Sequence, residues 1–546
     1  MVHHYQTGIC RIIAILIIGC CFMLSLAGCQ ADGSETTQTQ TDQTTIDATV
    51  DESDDLAGGE RTQAPIRIWW PERTSLNPLL DRSLSGQAVY RLIYRSLFTI
   101  QSDDQLTGDL AESLTLMDDG LTAVVVLKEQ QMFHDGTVVT AADAAAVIQW
   151  LRTPDNESSW SSGLSRVSDV QAVGERVVRI TLTEKNPWIG YALTFPIIPQ
   201  SETATEPLER FTGSGRYEID QFDPEAGLVL KPADSSSEAP TLLVKSYINQ
   251  SAAMRAFEKD ELDLVLLDTR QMNGYTVRSS LRVDRFSGPE VIMIAFENQQ
   301  NEILSDSGRL CFLKSVIQQF KAEPDVLDTW GEASFTGLSS QSIFNEGIGD
   351  SAVSLFERCK TVMWREEDII TMIAPDSDER RVALIRQIAA FLEDEGIPGQ
   401  VQILTDDAFS QAVKDKQYDL ALLSVMLPSE PEPGFLVRDP MPLWCDSILS
   451  LDLNRQALEN AQFWQNQLNQ LEPFDETGSS PHNAVNRNWR MTMAQALART
   501  PFEIVCVPYM GIAYGDRVRG HLNPSRYHPY EQIEELWKWS GSSLLY

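Results

Sequence analysis

The 546-residue chain carries 43 Lys and Arg against 78 Asp and Glu, which gives a formal charge of −35. A surface this acidic repels phosphate backbones, and no cluster of Lys and Arg stands out against it, so nucleic-acid binding is excluded. The 42% hydrophobic content and 12 tryptophans indicate a packed globular protein, and the length exceeds one ordinary core, so two lobes are expected.

The N-terminus has the composition of an export signal. Residues 12–26 are almost entirely apolar, and the small residues Ala27 and Gly28 follow. The run is shorter than the roughly 20 residues needed to span a bilayer, which favours a cleaved signal peptide over a transmembrane anchor. The string Leu-Ala-Gly-Cys that ends at Cys29 resembles the lipobox of bacterial lipoproteins. This resemblance implies removal of residues 1–28 and a diacylglyceryl group on Cys29.

A polar tether is predicted after the signal peptide. Residues 29–65 are rich in Thr and Gln, contain an acidic patch at 51–55 and have no aromatic residue. Such a composition buries too little apolar surface to offset the entropy of ordering, so we expect disorder. The acidic chain does not favour docking on anionic lipid, and stable anchoring takes more than one acyl chain, which a diacylglyceryl group supplies.

The first half of the folded region shows alternating strand and helix patterns. Residues 66–70 predict a first strand that ends at Pro71, and the apolar spacing over 87–97 predicts a helix. A turn is predicted at 116–122, before a strand over 123–127. Thr140 is a suitable N-cap for a helix over 141–151, with Asp143 near the positive end of the helix dipole.

The second half continues in the same alternation. Its predicted strands and helices are, in order, strand 291–296, helix 310–320, strand 369–374, helix 379–395 ending at Gly396, strand 401–404, helix 408–413 and strand 418–425. Strand–helix–strand order predicts an α/β layer with parallel pairing.

Cysteine and histidine spacing gives little sign of a metal or catalytic centre. Beyond Cys29, the chain has Cys311, Cys359, Cys445 and Cys506, without CxxC spacing, so zinc is not expected. Disulfides are permitted outside the cell, but apolar neighbours favour buried free thiols at Cys311 and Cys506.

His134, beside a turn, is predicted to be a structural hydrogen-bonding residue. A metal site at His521 and His528 is conceivable but is not predicted. The chain has no GxSxG, HExxH, P-loop or GxGxxG motif, so we expect no enzyme activity, no metal and no cofactor.

Several linked segments resemble the family 5 extracellular solute-binding proteins of ABC transporters, which include oligopeptide, dipeptide and nickel binders. The segments are residues 109–113 (DLAES), 118–122 (DDGLT), 133–137 (FHDGT), 140–143 (TAAD), 213–217 (GSGRY), 254–263 (MRAFEKDELD), 386–401 and 418–421 (YDLA). Arg216 stands where the family pattern has proline, and Glu297 interrupts its usual Phe-Asn. The resemblance covers roughly residues 66–536.

The resemblance implies an α/β, two-lobe clamshell of the periplasmic-binding-protein type II kind. Lobe one would span 66–288, with an extra subdomain inserted at about 96–210. Lobe two would span 289–501, and a return segment at 502–546 would rejoin lobe one.

The resemblance also implies a function. We expect a monomeric, lipid-anchored protein on the outer face of the cell membrane, which captures a peptide or peptide-like solute between its lobes and delivers it to ABC permease subunits. Two alternatives stay open: a ligand-sensing lipoprotein without a transport role, and an exported lipoprotein hydrolase.

Two loops are the predicted ligand contacts. The loop over 76–85 resembles the family segment whose backbone pairs with the ligand main chain, which brings in Arg82, Ser83 and Leu84. In peptide-binding relatives, an aspartate pairs with the ligand's α-amino group. Here the matching stretch lacks an aspartate, and Ser429 and Glu430 are the candidates, although Glu430 also fits a solvated loop acid.

Overall fold

The computed structural model describes residues 60–540, except for 73–75, 81–82, 154–157, 159, 204–211, 224–225, 270, 273–281, 298–302, 324–325, 328–329, 346–361, 428–486, 499 and 501. The predicted signal peptide, the tether and Cys29 therefore lie outside the described residues, and these predictions stay predictions.

Twenty-one strands are described, numbered along the chain. They are β1 Arg61–Thr62, β2 Ile66–Pro71, β3 Phe98–Ile100, β4 Leu106–Gly108, β5 Ala111–Met117, β6 Thr122–Leu127, β7 Val167–Val173, β8 Val177–Leu182, β9 Tyr217–Asp223, β10 Gly227–Pro232, β11 Leu242–Tyr247, β12 Leu264–Leu267, β13 Val283–Ser287, β14 Glu290–Phe296, β15 Gly331–Ala333, β16 Ile370–Pro375, β17 Gly399–Leu404, β18 Leu420–Met426, β19 Phe502–Tyr514, β20 Val518–Arg519 and β21 Trp537–Trp539.

Eight α-helices accompany the described strands. They are α1 Leu84–Ile93, α2 Ala141–Leu151, α3 Ile189–Ala192, α4 Gln250–Phe257, α5 Ser307–Ala322, α6 Glu379–Asp394, α7 Asp406–Lys414 and α8 Arg487–Ala498.

The predicted elements of the second half are confirmed, with boundaries shifted by a few residues. Parallel pairing is confirmed where β16 lies between β17 and β18. The same sheet is mixed, because β14 pairs antiparallel with both β18 and β19. Side chains of β14 alternate between two hydrophobic clusters, so the strand is buried on both faces.

The predicted helix over 87–97 is instead α1, which begins at residue 84 and ends at Ile93. Ser83 caps its N-terminus, and Tyr94 is already extended. The Ile93 carbonyl accepts the N–H groups of Ser214 and Gly215, at 3.1 and 2.7 Å. Since these bonds replace the helical ones, α1 ends at Ile93. The apolar spacing continues to Leu97, which is buried beyond the end of the helix.

The helix predicted over 141–151 is confirmed as α2. Thr140 and Asp143 form a capping box, in which the Asp143 carboxylate accepts both the backbone N–H and the hydroxyl of Thr140. The turn at 118–120 is also confirmed, and Gly120 has a φ of +87°, which favours glycine. The strands on either side of this turn, β5 and β6, belong to a four-stranded antiparallel sheet with β8 and β7.

The long strand β19 joins two parts of the largest sheet. Its second half pairs with β12 and β13, and its first half pairs with β14 and β15. Since β13 and β14 are consecutive and both run antiparallel to β19, the chain forms a two-stranded ribbon between these parts. We call β19 and the β13–β14 segment the crossover strands.

Glu503 anchors the first half of β19 to α5. Its carboxylate lies 3.5 Å from the Lys314 ammonium and 3.2 Å from the Lys321 ammonium, and all three side chains are buried. Lys321 also donates to the carbonyls of Ser334 and Ile504. Burial lowers the pKa of both lysines, although Glu503 opposes the shift. These contacts make the strand's position costly to change, because moving it would leave buried charges unpaired.

Cysteine chemistry follows the prediction at one position and not at the other. Cys506 is buried and free, as predicted, and burial raises the pKa of its thiol to about 12. Cys311 is disulfide-bonded, so the prediction of a buried free thiol there is wrong. The apolar run around it is a helix, α5, whose buried face carries Leu313 and Val316, while Cys311 is half-buried beside that face.

Candidate functional site

The structure describes two of the five predicted ligand contacts. The Ser83 hydroxyl accepts the N–H of Gly86 at 3.1 Å and so caps α1. Leu84 is the first residue of that helix and is half-buried against the main hydrophobic cluster. Arg82, Ser429 and Glu430 lie outside the described residues, so the two predicted loops cannot be compared, and all five contacts stay predictions.

A cavity of about 380 Å³ lies beside the crossover strands. Four parts of the chain besides β19 surround it: the loop between β3 and β4, the end of β13, the region around β15 and a segment near the C-terminus. We call it the crossover cavity, and its lining residues are Ser102, Asp104, Arg285, Phe286, Ser287, Gly288, Glu332, Ser339, Ser340, Gln341, Val507, Tyr509, Asn523, Pro524, Ser525 and Arg526.

Close backbone contact forms the floor of this cavity. The N–H of Gly288 donates to the carbonyl of Pro508 at 2.9 Å, and a Cβ at Gly288 would lie 3.0 Å from that oxygen. A Cβ at Gly331 would lie 2.3 Å from the carbonyl oxygen of Val507. Both positions therefore need glycine for β13, β15 and β19 to approach this closely.

The acidic side chains of the crossover cavity are already hydrogen-bonded. Asp104, held at a φ of +65°, accepts a 2.9 Å bond from the Arg526 guanidinium and a 2.7 Å bond from the Tyr527 hydroxyl. Glu332 accepts bonds from the Ser287 hydroxyl at 2.7 Å and the Ser340 N–H at 2.6 Å. Asp104 Oδ1 and both carboxylate oxygens of Glu332 are therefore held by protein groups in the cavity wall.

The cationic side chains are less fully engaged. Burial acts to lower the pKa of Arg526, but Asp104 and Tyr527 outweigh it, and the pKa is raised. Arg285 is exposed, and its guanidinium forms no hydrogen bond or ion pair with any residue in the described part of the chain. The cavity therefore combines hydroxyl and amide groups with two permanent cations, which suits the binding of a polar solute.

Four aromatic rings meet near the crossover cavity. Trp188 lies 5.3 Å from Phe344 and 5.7 Å from Trp489, measured between ring centroids, and Tyr191 lies 6.2 Å from Phe344. All four are buried. Each such pair contributes about 0.5–1.5 kcal/mol beyond its burial. The sequence assigns Trp188 and Tyr191 to the inserted subdomain, and Phe344 and Trp489 to lobe two, so this aromatic cluster connects those two regions.

Polar contacts connect the same two predicted lobes. The Thr269 hydroxyl donates to Glu290 at 2.8 Å and accepts from Arg380 at 2.8 Å. Ser424 also donates to Glu290. In addition, the N–H of Ile343 donates to the carbonyl of Asp103 at 2.9 Å. The described conformation therefore has hydrogen bonds as well as aromatic contacts across the predicted cleft.

Two unusual positions in the family motifs have structural explanations. His134 is confirmed as a structural hydrogen-bonding residue, because its Nε2 lies 3.0 Å from the carbonyl oxygen of Gly215. Arg216, which stands where the family pattern has proline, forms ion pairs with Glu534 at 2.6 Å and Glu531 at 3.1 Å. The substitution therefore links strand β9 to the C-terminal segment.

The two C-terminal histidines occupy different environments. His521 is exposed, whereas His528 Nε2 lies 2.6 Å from the Thr99 hydroxyl. Burial, and then the charges of Arg91 and Arg216, hold the pKa of His528 well below its usual 6.5, so the ring is neutral near pH 7.

Within the described ranges, no group of three or more His, Cys, Asp and Glu side chains could hold a metal ion.

The helices in the described part of the chain include none that is both long and apolar enough to cross a membrane.

The sequence did not identify the crossover cavity. Its lining comes from five separated stretches, and it includes five serines, one glycine and one asparagine without a recognisable motif. One signal was available: residues 502–514 form an almost uninterrupted apolar run, too long for a strand within a single small sheet.

Comparison with known proteins shows which proteins part of this chain is similar to. Residues 105–309 match the family described as bacterial extracellular solute-binding proteins, family 5 Middle. The glutathione-binding protein GsiB of Escherichia coli (strain K12) is 30% identical over 160 residues, which are 28% of this chain. The aligned region spans only 30% of the length of that curated relative.

Solved structures share the fold over most of the chain. The murein tripeptide-binding protein MppA, in its unliganded open form, aligns with a TM-score of 0.65 and 14% identity over 88% of this chain and 99% of its own. NikZ from Campylobacter jejuni, in complex with Ni(L-His), aligns with a TM-score of 0.55 and 17% identity over 87% of this chain and 99% of its own. The fold is thus the predicted two-lobe α/β fold, and over residues 105–309 the chain is similar to the family 5 extracellular solute-binding proteins.

The neutral state of His528 predicts a pH-dependent stability. Below pH 6.5 this histidine gains a proton in the unfolded chain but not in the native one, so acid favours unfolding. Relative to His528→Gln, the wild type should lose stability with a slope approaching about 1.4 kcal/mol per pH unit as the pH falls below 6.5. Urea midpoints at pH 7.5, 6.0 and 5.0 measure the difference. His521→Gln, at an exposed position, should follow the wild type, and a His528→Gln profile parallel to the wild type would contradict the prediction.

Proposed function

We propose that this protein captures a small polar solute in the crossover cavity and presents it to an ABC importer. One observation carries the proposal: a polar cavity lies directly on the crossover strands, with walls from both predicted lobes, in a fold shared with known solute-binding proteins. Clefts between two lobes are preferred sites for small ligands, since closing the lobes excludes water from the ligand's polar groups.

The lobe boundaries are part of this proposal. Lobe one would comprise residues 66–288, with a subdomain inserted at about 96–210, lobe two 289–501, and the return segment 502–546. The pairing of β13 and β14 with β19 supports a passage between lobes close to Gly288 and within Val507–Met510. Rotation about this ribbon would open the cavity without breaking either lobe's core.

Binding explains the cavity better than catalysis does. Asp104 and Glu332 are held in place by hydrogen bonds from protein groups, which fits a role in shaping a binding cavity. The relatives identified above are solute-binding proteins rather than enzymes. No observation favours the hydrolase or the sensor without transport over solute capture.

A peptide or peptide-like solute is the class we propose. GsiB is named as a glutathione-binding protein and MppA as a murein tripeptide-binding protein. A cavity of about 380 Å³ suits a solute of similar size. Arg82, Ser83 and Leu84 on one side, with Ser429 and Glu430 on the other, remain the proposed contacts to its backbone and amino group. A buried amino group requires such an anion, because an unpaired buried charge is costly.

The proposed site predicts that a bulky residue in the cavity expels the solute. Mass spectrometry of denatured, freshly purified protein would identify what is bound. We expect Ser340→Trp to lose this compound because the indole would occupy the cavity, whereas Ser165→Trp, at an exposed position outside the cavity, should retain it. If a folded Ser340→Trp protein retains the compound at wild-type stoichiometry, the crossover cavity is not the solute site.

The location we propose is the outer face of the cytoplasmic membrane, through a lipid on Cys29. We expect Cys29→Ser to abolish incorporation of labelled diacylglycerol and to shift the protein out of the membrane fraction. A wild-type protein that carries no lipid, or a Cys29→Ser protein that remains membrane-bound to the same extent, would contradict this anchoring.

A further inference from the structure

A second cavity, of about 290 Å³, adjoins the crossover cavity and shares Ser102, Asn523 and Ser525 with it. Three arginines line it: Arg91 near the end of α1, and Arg95 and Arg216. We call it the arginine cavity. Because the two cavities share three lining residues, they lie side by side.

Two of the three arginines have carboxylate partners. Arg95 lies 2.6 Å from Asp109 and also donates to the carbonyl of that residue at 2.9 Å. Arg216 pairs with Glu534 and Glu531. These two guanidinium groups are therefore neutralised by the protein itself.

Arg91 is different. It is half-buried, and its guanidinium forms neither a hydrogen bond nor an ion pair with any residue that the structure describes. Burial lowers the pKa of Arg91 to about 10, and the charges of Tyr527 and Asp109 only partly oppose this shift. Arg526 provides the contrast, since its pKa is raised beside Asp104 despite its burial. A cation withdrawn from water without a partner costs stability, which is why buried arginines are normally paired.

The neighbours of Arg91 favour an anion in the remaining space. His528 lines the same cavity and is hydrogen-bonded to Thr99. Because its ring is neutral, it does not balance the charge of Arg91. The side-chain amide of Asn523 lies in the lining of both cavities and forms no hydrogen bond with the described residues. The arginine cavity thus offers one guanidinium without a hydrogen-bonded carboxylate, together with an amide donor.

We propose that Arg91 binds a carboxylate group of the solute held in the crossover cavity, with Asn523 as a second donor. This proposal rests on the proposed function. A guanidinium presents parallel N–H donors that match the two oxygens of a carboxylate. A monocarboxylate supplies the acceptor oxygens that the Arg91 guanidinium lacks, whereas a phosphate dianion would be repelled more strongly by Asp109 and Glu531 in the same lining.

The test uses trifluoroacetate as a monocarboxylate probe, followed by fluorine NMR on the full chain. We expect one saturable site in the wild-type protein, from which acetate displaces the probe more effectively than inorganic phosphate does. Arg91→Gln should weaken binding roughly ten-fold or more, since it removes a charge-assisted hydrogen bond. Arg91→Lys should bind with intermediate affinity, because it keeps the charge but loses the paired donors.

Arg255→Gln is the matched control, since Arg255 is an exposed arginine on α4 outside both cavities and its loss changes the net charge equally. It should bind the probe like the wild type. Equal binding by folded Arg91→Gln and wild type would overturn the proposal, and so would stronger displacement by phosphate than by acetate.

The two proposals fail in different ways. A co-purified solute that lacks a carboxylate would overturn the role of Arg91 and leave solute capture intact. Trifluoroacetate binding that depends on Arg91, in a protein whose crossover cavity holds no solute, would leave the carboxylate site intact and contradict the proposed function.

Discussion

The structure depends on one strand, β19. Its 13 residues pair with β12, β13, β14 and β15, so a single stretch of backbone belongs to two parts of the largest sheet. Glu503 fixes its first half to α5 through two buried lysines. At its end, Tyr514 donates to Asp284 and lies under the guanidinium of Arg282. Because both ends of β19 are fixed in this way, movement between the proposed lobes is confined to the few residues of β19 between those ends.

That constraint also explains the composition of the crossover cavity. Gly288 and Gly331 are required where strands approach β19 most closely, and the absence of side chains there leaves room above the ribbon. Polar groups line the walls of this cavity. The aromatic cluster of Trp188, Tyr191, Phe344 and Trp489 connects regions on opposite sides of this cavity. Its rings would become exposed on opening, which favours closure even before a solute contributes.

Local patterns made much of the fold predictable. The capping box of Thr140 and Asp143 and the turn at Gly120 depend on residues close in sequence, so their geometry follows from residue type. The end of α1 was not predictable in this way, because the groups that replace its helical bonds come from Ser214 and Gly215, far along the chain. The disulfide at Cys311 was missed because helical periodicity, rather than the apolar run, decides which face is buried.

The candidate site was less accessible to sequence reasoning than the fold. Motifs such as DDGLT and FHDGT stabilise turns and hydrogen bonds within the scaffold, and they identify the family without describing its ligand. The crossover and arginine cavities depend instead on isolated residues, among them Arg91, Arg285 and Arg526, which are brought together by tertiary structure. In a chain with a formal charge of −35, the guanidinium groups of Arg91 and Arg285, which have no partner among the described residues, are a specific feature, but only their positions in space reveal it.

Solution scattering tests the central claim, that a solute is captured between two moving lobes, most directly. Protein stripped of its co-purified compound would be measured before and after that compound is restored, with calorimetry to establish saturation. The account predicts a smaller radius of gyration for the saturated protein, because the lobes close around the crossover strands. An unchanged radius of gyration at saturation, or chemical conversion of the compound by the protein, would contradict it.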